Sequence, residues 1–137
     1  MRGLRALLAV VVLTALGIGS ASADPPVVPD TDLRAEADAL FKHLLAKPND
    51  LDAAFRFSEI ETKLGDYEAA IGALERMLFY NPNLPRVQLE LGLLYFKLHS
   101  YEMAKSYFNA ALASPDTPQD VRDQVAKFLS AKAVACL

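Results

Sequence analysis

The chain contains 137 residues, with 14 Lys and Arg against 17 Asp and Glu, which gives a formal charge of −3, and 53% of its residues are hydrophobic. This length allows one small domain and excludes a multi-domain machine. A single Cys excludes a disulfide framework and a multi-thiolate metal site within one copy of the chain. Nucleic-acid binding needs a basic surface, so the acidic balance argues against a nucleic-acid partner.

Residues 1–23 have the layout of a secretory signal peptide. Arg2 and Arg5 carry the only charges in this segment, and an apolar run over 6–18 follows them. The segment ends in the small residues Ala-Ser-Ala, which suit signal peptidase. The run is shorter than the ~20 apolar residues of a membrane-spanning helix. We therefore expect cleavage after Ala23 and a bacterial periplasmic location, with an uncleaved anchor as the alternative.

Residues 24–30 are interpreted as a Pro-rich linker behind the cleavage site. Three Pro residues fall within five positions here, at 25, 26 and 29. Proline lacks the backbone N–H that a helix needs and favours an extended, solvated chain. We expect this segment to act as a tether.

A period of 34 residues runs through the rest of the chain. The segment 64–70 aligns with 98–104 at this offset, and Pro48 and Pro82 are separated by the same step. Apolar residues within each period recur every three or four positions, which predicts amphipathic helices. Only two residues separate the paired helices, and Asp66 or Ser100 is expected to cap the second one. Gly65 suits the left-handed backbone conformation that follows the end of a helix. In the next period His99 takes the equivalent position, and we expect its backbone to be strained there. The turn residues concerned are Gly65, Asp66, His99 and Ser100.

The apolar pattern of the second period resembles the tetratricopeptide repeat (TPR) family. The residues that carry the resemblance are Leu91, Gly92, Tyr95, Tyr101, Ala104, Phe108 and Ala111. The first period departs from the family pattern, with Phe57-Ser58 in place of Leu-Gly. The resemblance implies an all-α fold, namely a short right-handed superhelix of antiparallel helix pairs (a TPR-like α-solenoid).

The helical domain is expected over 31–133. It contains repeats at 51–84 and 85–118 and flanking helices at 31–46 and 118–133, the last capped by Thr117. Six helices amount to about two and a half to three units. Three units are about the minimum for a stable array.

Catalysis requires titratable groups that are clustered in a pocket. His43 and His99 lie far apart in the sequence, and neither has the spacing that brings metal ligands onto one helical face. Glu59 and Glu61 are two positions apart on a helix, so they point in different directions. We therefore expect no enzyme activity, no catalytic residue, no cofactor, no metal and no small-molecule substrate.

Function is then expected at the surface, where the first helix of each pair lines the concave side of a helical stack. Helical spacing predicts a partner-binding groove formed by Phe55, Arg56, Glu59, Arg86, Leu89, Leu93, Phe96 and Lys97. An apolar strip with a charged rim suits an amphipathic helix or an extended apolar segment of a partner. In so short a stack the flanking helices can instead cover these residues, which would make them part of the core.

A second resemblance is carried by the segment 81–92, by Ala113-Ser114-Pro115 and by the final helix that begins with Pro118. These residues are similar to the periplasmic repeats of outer-membrane proteins related to the surface lipoprotein assembly modifiers. In that family the repeats precede a transmembrane β-barrel. The resemblance implies the handling of an exported client and an outer-membrane protein as a partner.

The sequence thus predicts a non-catalytic TPR module that acts in the periplasm and presents a groove to a protein or peptide. The alternative hypothesis is a structural or assembly module that self-associates or docks on an outer-membrane β-barrel.

Overall fold

The computed structural model describes residues 29–135 of the chain, with side chains as far as Ser130. These residues form six α-helices and no strand, which confirms the predicted all-α fold. The helices are α1 (Asp30–Ala46), α2 (Leu51–Leu64), α3 (Tyr67–Tyr80), α4 (Pro85–Lys97), α5 (Tyr101–Ala113) and α6 (Gln119–Ala135). The predicted signal peptide and residues 24–28 of the predicted linker lie outside the described residues.

Each helix packs against the next one in the chain, as in the predicted solenoid of paired helices. Among the described helices, α4 and α6 are the only pair two steps apart that also pack together. By contrast, no Cα atom of α2 lies within 8 Å of one in α4, and the same holds for α1 and α3. The stack is therefore more open at its N-terminal end than at its C-terminal end.

The two turns within helix pairs share one geometry. Gly65 ends α2 in the left-handed conformation, with φ of 84°, and His99 takes the same conformation 34 residues later, with φ of 60°. A left-handed residue with a side chain is strained, as the sequence predicted for His99. Asp66 caps α3 by accepting a hydrogen bond of 3.0 Å from the Ala69 N–H, whereas Ser100 makes no side-chain capping bond.

Helix α4 contributes to two hydrophobic cores. Its Leu91 and Leu94 belong to an N-terminal core shared with α1, α2 and α3. Its Leu89 belongs to a C-terminal core shared with α5 and α6, which includes Phe108 and Val125. Because both sides of α4 are covered, this helix joins the two halves of the stack.

Helices α4 and α5 approach closely at Gly92. The ring of Phe108 occupies the space that a Cβ atom at position 92 would need. In the preceding repeat, 34 residues earlier, these positions hold the buried Ser58 and Leu74. Each repeat therefore combines one small and one large side chain at equivalent positions.

A hydrogen-bonded cluster links α3 to the next helix pair. The hydroxyls of Tyr95 and Tyr107 each donate to Glu75 Oε1 over 2.9 Å. Their rings stack, with centroids 5.5 Å apart and an interplanar angle of 9°. Burial raises the pKa of both tyrosines, so both hydroxyls keep the protons that they donate.

The connection to α6 differs from the one predicted. The Thr117 hydroxyl, expected to cap α6, donates back to the end of α5. It lies 2.7 Å from the Ala111 carbonyl oxygen and 2.8 Å from that of Ser114. An ion pair also joins α6 to α4, because Arg86 donates two hydrogen bonds to Asp120, at 2.8 and 3.1 Å.

Candidate functional site

An open groove lies between α2 and α4, where these two helices stay apart while both pack on α3. It has a volume of about 490 Å³. We call it the α2–α4 groove, and its lining residues are Phe55, Arg56, Ser58, Glu59, Thr62, Lys63 and Glu90. All but Glu90 come from α2, at the three- and four-residue spacing that places side chains on one side of a helix.

Ion pairs fix the charged side chains of the α2 wall. Arg56 donates to both carboxylate oxygens of Glu36 on α1, at 2.6 and 2.9 Å, and to Glu59 at 3.1 Å. Lys63 donates to the other oxygen of Glu59, at 2.7 Å. The hydrogen bond from Arg56 lowers the pKa of Glu36, and that from Lys63 lowers the pKa of Glu59. Both acids therefore stay ionised at neutral pH and balance the two cations.

The α4 wall of the groove carries Glu90, which is half-buried. No hydrogen bond or ion pair from any described residue reaches its carboxylate. Burial raises the pKa of Glu90 above its ordinary value, and the more distant charge of Lys97 opposes that effect. A carboxylate that loses water without gaining a partner is unfavourable in the folded protein.

Three of the eight residues predicted for the groove line it. Phe55, Arg56 and Glu59 share the α2 wall, and Phe55 also packs against the N-terminal core. These are the residues of the first repeat, where α2 and α4 leave the groove open.

The apolar residues predicted for the second repeat occupy a different place. Leu89 is only 3% exposed and belongs to the C-terminal core, and Leu93 and Phe96 pack against that core. The Phe96 ring lies 5.6 Å from the Phe128 ring of α6. The expectation that Leu89 forms an open groove floor is therefore wrong. Helix α6 packs on α4, and Leu89 is part of the core, which is the alternative that the sequence left open.

The two remaining predicted cations lie elsewhere on α4. Arg86 binds Asp120 of α6, as described above. Lys97 lies over the ring of Tyr67, with its Nζ atom 5.7 Å from the ring centre. Neither residue lines the α2–α4 groove.

The predicted set omits Glu90, although the 34-residue period contains the signal that locates it. Arg56 was predicted, and the residue 34 positions later is Glu90. The same surface position thus carries a cation in the first repeat and an anion in the second. Thr62 lies three positions after the predicted Glu59, so the helical spacing that groups the α2 wall was the signal that could have located it.

A second, smaller depression lies between α1 and α3 over Phe57 of α2. It measures about 200 Å³, and Phe41, Ala73 and Met77 contribute to its walls. The rim is apolar and partly open, since Phe41 is 48% exposed and Leu45, nearby on α1, is 60% exposed. We call this surface the α1–α3 patch.

Within residues 29–135, no helix has the length and hydropathy to cross a membrane. The same residues contain no group of three or more His, Cys, Asp or Glu side chains that could hold a metal ion. In this part of the chain His43 Nε2 lies within hydrogen-bonding distance of Asp50 Oδ2, at 2.8 Å. Asp50 also caps α2, so the pair serves the connection between α1 and α2.

The stacked helix pairs define a helical repeat protein, and comparison with known proteins agrees. Residues 85–115, which cover α4 and α5, match the family model of the tetratricopeptide repeat. Repeats of this family are generally non-catalytic modules for protein interaction. No curated protein matches the chain.

The fold is similar to that in the crystal structure of MamA, a TPR protein, with a TM-score of 0.55 and 24% sequence identity. The match covers 70% of this chain and 52% of the MamA chain, so this chain spans about half the length of MamA. At this level of identity the likeness shows the fold alone.

Proposed function

We propose that this chain is a non-catalytic protein-binding module that acts in the bacterial periplasm and accepts a peptide segment of its partner in the α2–α4 groove. The observation that carries the proposal is the open groove itself. Its volume of about 490 Å³ is similar to that of small-molecule pockets, which is enough room for a few side chains of a peptide. The TPR match over residues 85–115 supports a role in protein binding.

The groove combines the two features that peptide recognition needs. Phe55 supplies an aromatic surface, while Ser58 and Thr62 offer hydroxyls that donate or accept hydrogen bonds. The ion pairs of Arg56 hold the rim in position before any partner arrives. A preorganised site loses less conformational entropy on binding, so more of the contact energy contributes to affinity.

Substitution of Thr62 by Arg tests this assignment, because a long side chain from the middle of the groove would fill it. The purified protein is cross-linked to a periplasmic extract, and the captured proteins are compared. Thr31→Arg is the matched control, since Thr31 is exposed at the start of α1 and far along the chain from the groove. We expect capture by the wild type and the control and its loss in Thr62→Arg. Equal capture by both variants would contradict the groove assignment.

The periplasmic location rests on the sequence of residues 1–23, with their two Arg residues, apolar run and Ala-Ser-Ala end. N-terminal sequencing of the protein recovered from the periplasmic fraction tests it, and Asp24 is the expected first residue. The resemblance to the assembly modifiers further suggests that the partner is an outer-membrane protein or its exported client.

The exposed α1–α3 patch supports a second candidate function, which is self-association or docking on an outer-membrane β-barrel. Phe41 and Leu45 present apolar surface there that a second protein would cover. Mass measurement over a range of protein concentrations tests self-association. A monomer at the highest concentration would contradict it, and a dimer that Phe41→Glu abolishes would support it.

A further inference from the structure

The charges of the α2–α4 groove are balanced on one wall and unbalanced on the other. Arg56 is shared between Glu36 and Glu59, and Lys63 is bound to Glu59. Two cations thus face two anions on the α2 side. Glu90 on the α4 side adds a third anion, which leaves the groove and its ion-pair partners with a net charge of −1.

No cation of the described residues neutralises Glu90 by contact. Lys97, whose charge acts on Glu90 from a distance, lies over the Tyr67 ring and forms no ion pair with Glu90. Arg56 and Lys63 line the same groove, but their hydrogen bonds go to acids of the α1 and α2 side. The Glu90 carboxylate therefore retains unused acceptor capacity toward the groove.

A half-buried carboxylate without a partner weakens the fold, since an apolar side chain at this position would cost no desolvation of charge. Departures of this kind are typical of binding sites, where the missing partner arrives with the ligand. The complementary groups are N–H donors that carry positive charge, which in a protein partner are Lys and Arg side chains. Phe55 in the same groove can contact the aliphatic part of such a side chain or the cation itself.

We propose that the α2–α4 groove selects a peptide segment with a Lys or Arg side chain, which donates to the Glu90 carboxylate while its stem lies against Phe55. This inference rests on the proposed function and specifies the chemistry of the partner. The α2 wall contributes little to the selection of charge, because its own charges are already paired.

A random 12-residue peptide library displayed on phage tests the inference. The purified wild-type protein, Glu90→Lys and the matched control Glu102→Lys are screened in parallel. Glu102 is exposed in α5 and does not line the groove, so its variant has the same change in net charge. We expect the wild type and the control to enrich peptides with Lys or Arg beside an apolar residue. Glu90→Lys is expected to enrich Asp or Glu instead.

A labelled peptide from the wild-type selection then gives the affinity by fluorescence anisotropy. Glu90→Gln keeps the size of the side chain, removes its charge and should weaken binding about tenfold. Thermal unfolding of each variant, followed by circular dichroism, verifies that it is folded at the temperature of the assay.

The possible outcomes separate the inference from the proposed function. Enrichment of peptides that bind wild type and Glu90→Gln equally well, or that lack Lys and Arg, would overturn the inference and leave peptide binding in place. No enrichment by the wild type over an unrelated helical protein would overturn the proposed function and the inference with it.

Discussion

Gly92 sets how closely α4 and α5 can pack, and it provides a test of the packing at a single residue. In Gly92→Ala, the added methyl group overlaps the Phe108 ring. This ring is 2% exposed and stacks on Phe128 with centroids 5.6 Å apart, so it has no free space to enter. We expect the free energy of unfolding to fall by ~1–3 kcal/mol, as measured by urea denaturation.

Gly72→Ala is the matched control for this change. Gly72 is exposed in α3, and a Cβ atom placed there would meet no atom within 4 Å. Alanine is favoured over glycine within helices, so this variant should gain ~0.5–1 kcal/mol of stability. The two Gly→Ala substitutions should therefore change the free energy of unfolding in opposite directions. A loss of stability in both would contradict the packing described for Gly92.

The difference in stability between Glu90→Gln and wild type should depend on pH, in a direction that follows from the burial of Glu90. Burial raises the pKa of Glu90 in the folded state above its ordinary value of 4.5. Between those two pKa values the folded state holds a proton that the unfolded state has lost, so wild-type stability falls as the pH rises through this window. At neutral pH the variant should be ~1 kcal/mol more stable than wild type, because it places no unpaired charge in the groove.

This advantage should disappear as the pH falls below 4.5, where the Glu90 carboxyl is protonated in both states. Urea denaturation midpoints of both proteins, measured at neutral and at acidic pH, provide the comparison. A difference that stays constant with pH, or a variant that is less stable at neutral pH, would show that Glu90 is not an unpaired, partly buried acid.

Helix α6 acts as a cover for the C-terminal core. Its Phe128 packs between Phe96 and Phe108, with a centroid distance of 5.6 Å to each ring. Phe128→Ala removes these contacts and should lower the free energy of unfolding by ~2 kcal/mol, below the range for fully buried rings because Phe128 is only half-buried.

Phe79→Ala is the matched control for this prediction. Phe79 is 85% exposed at the end of α3, and Tyr80 is the only described ring near it. Its removal should change stability by less than ~0.5 kcal/mol. Equal losses in both variants, measured by thermal unfolding, would indicate that α6 does not cover the core as described.

Helix α4 also shows what the sequence could and could not predict. Its existence and approximate bounds follow from the 34-residue period and from Pro85, which suits a first helical position. Apolar residues lie on more than one face of this helix, which is typical of a helix that is buried by neighbours on two faces. The sequence alone leaves open whether α6 or a partner covers Leu89, because that choice depends on the angle between helix pairs.

The α2 wall was easier to predict than the α4 wall for a physical reason. Phe55, Arg56 and Glu59 lie on one face of a single helix, so helical spacing is sufficient to group them. Spacing within one helix does not group Glu90 with them. Its place in the groove depends on the 34-residue period, which relates it to Arg56, and on the separation of α2 from α4. Its missing partner is likewise a property of the tertiary structure.

At the scale of the whole molecule, six helices form a stack that is tight at one end and open at the other. The C-terminal end closes where α6 packs on α4, whereas the α2–α4 groove and the α1–α3 patch both lie toward the N-terminal end. Arrays of this size have few interfaces between units to stabilise them. Because α4 packs in both cores and also carries Glu90, it links the α2–α4 groove to the two halves of the stack.

Amide chemical shifts of nitrogen-labelled protein, recorded while a library-selected Lys- or Arg-containing peptide is added, test the central claim most directly. That claim is that the space between α2 and α4 is where a partner binds. We expect the largest shifts at Phe55, Thr62 and Glu90, with little change around Phe41 and Met77. Shifts concentrated at Phe41 and Met77, on the α1–α3 side, would contradict it.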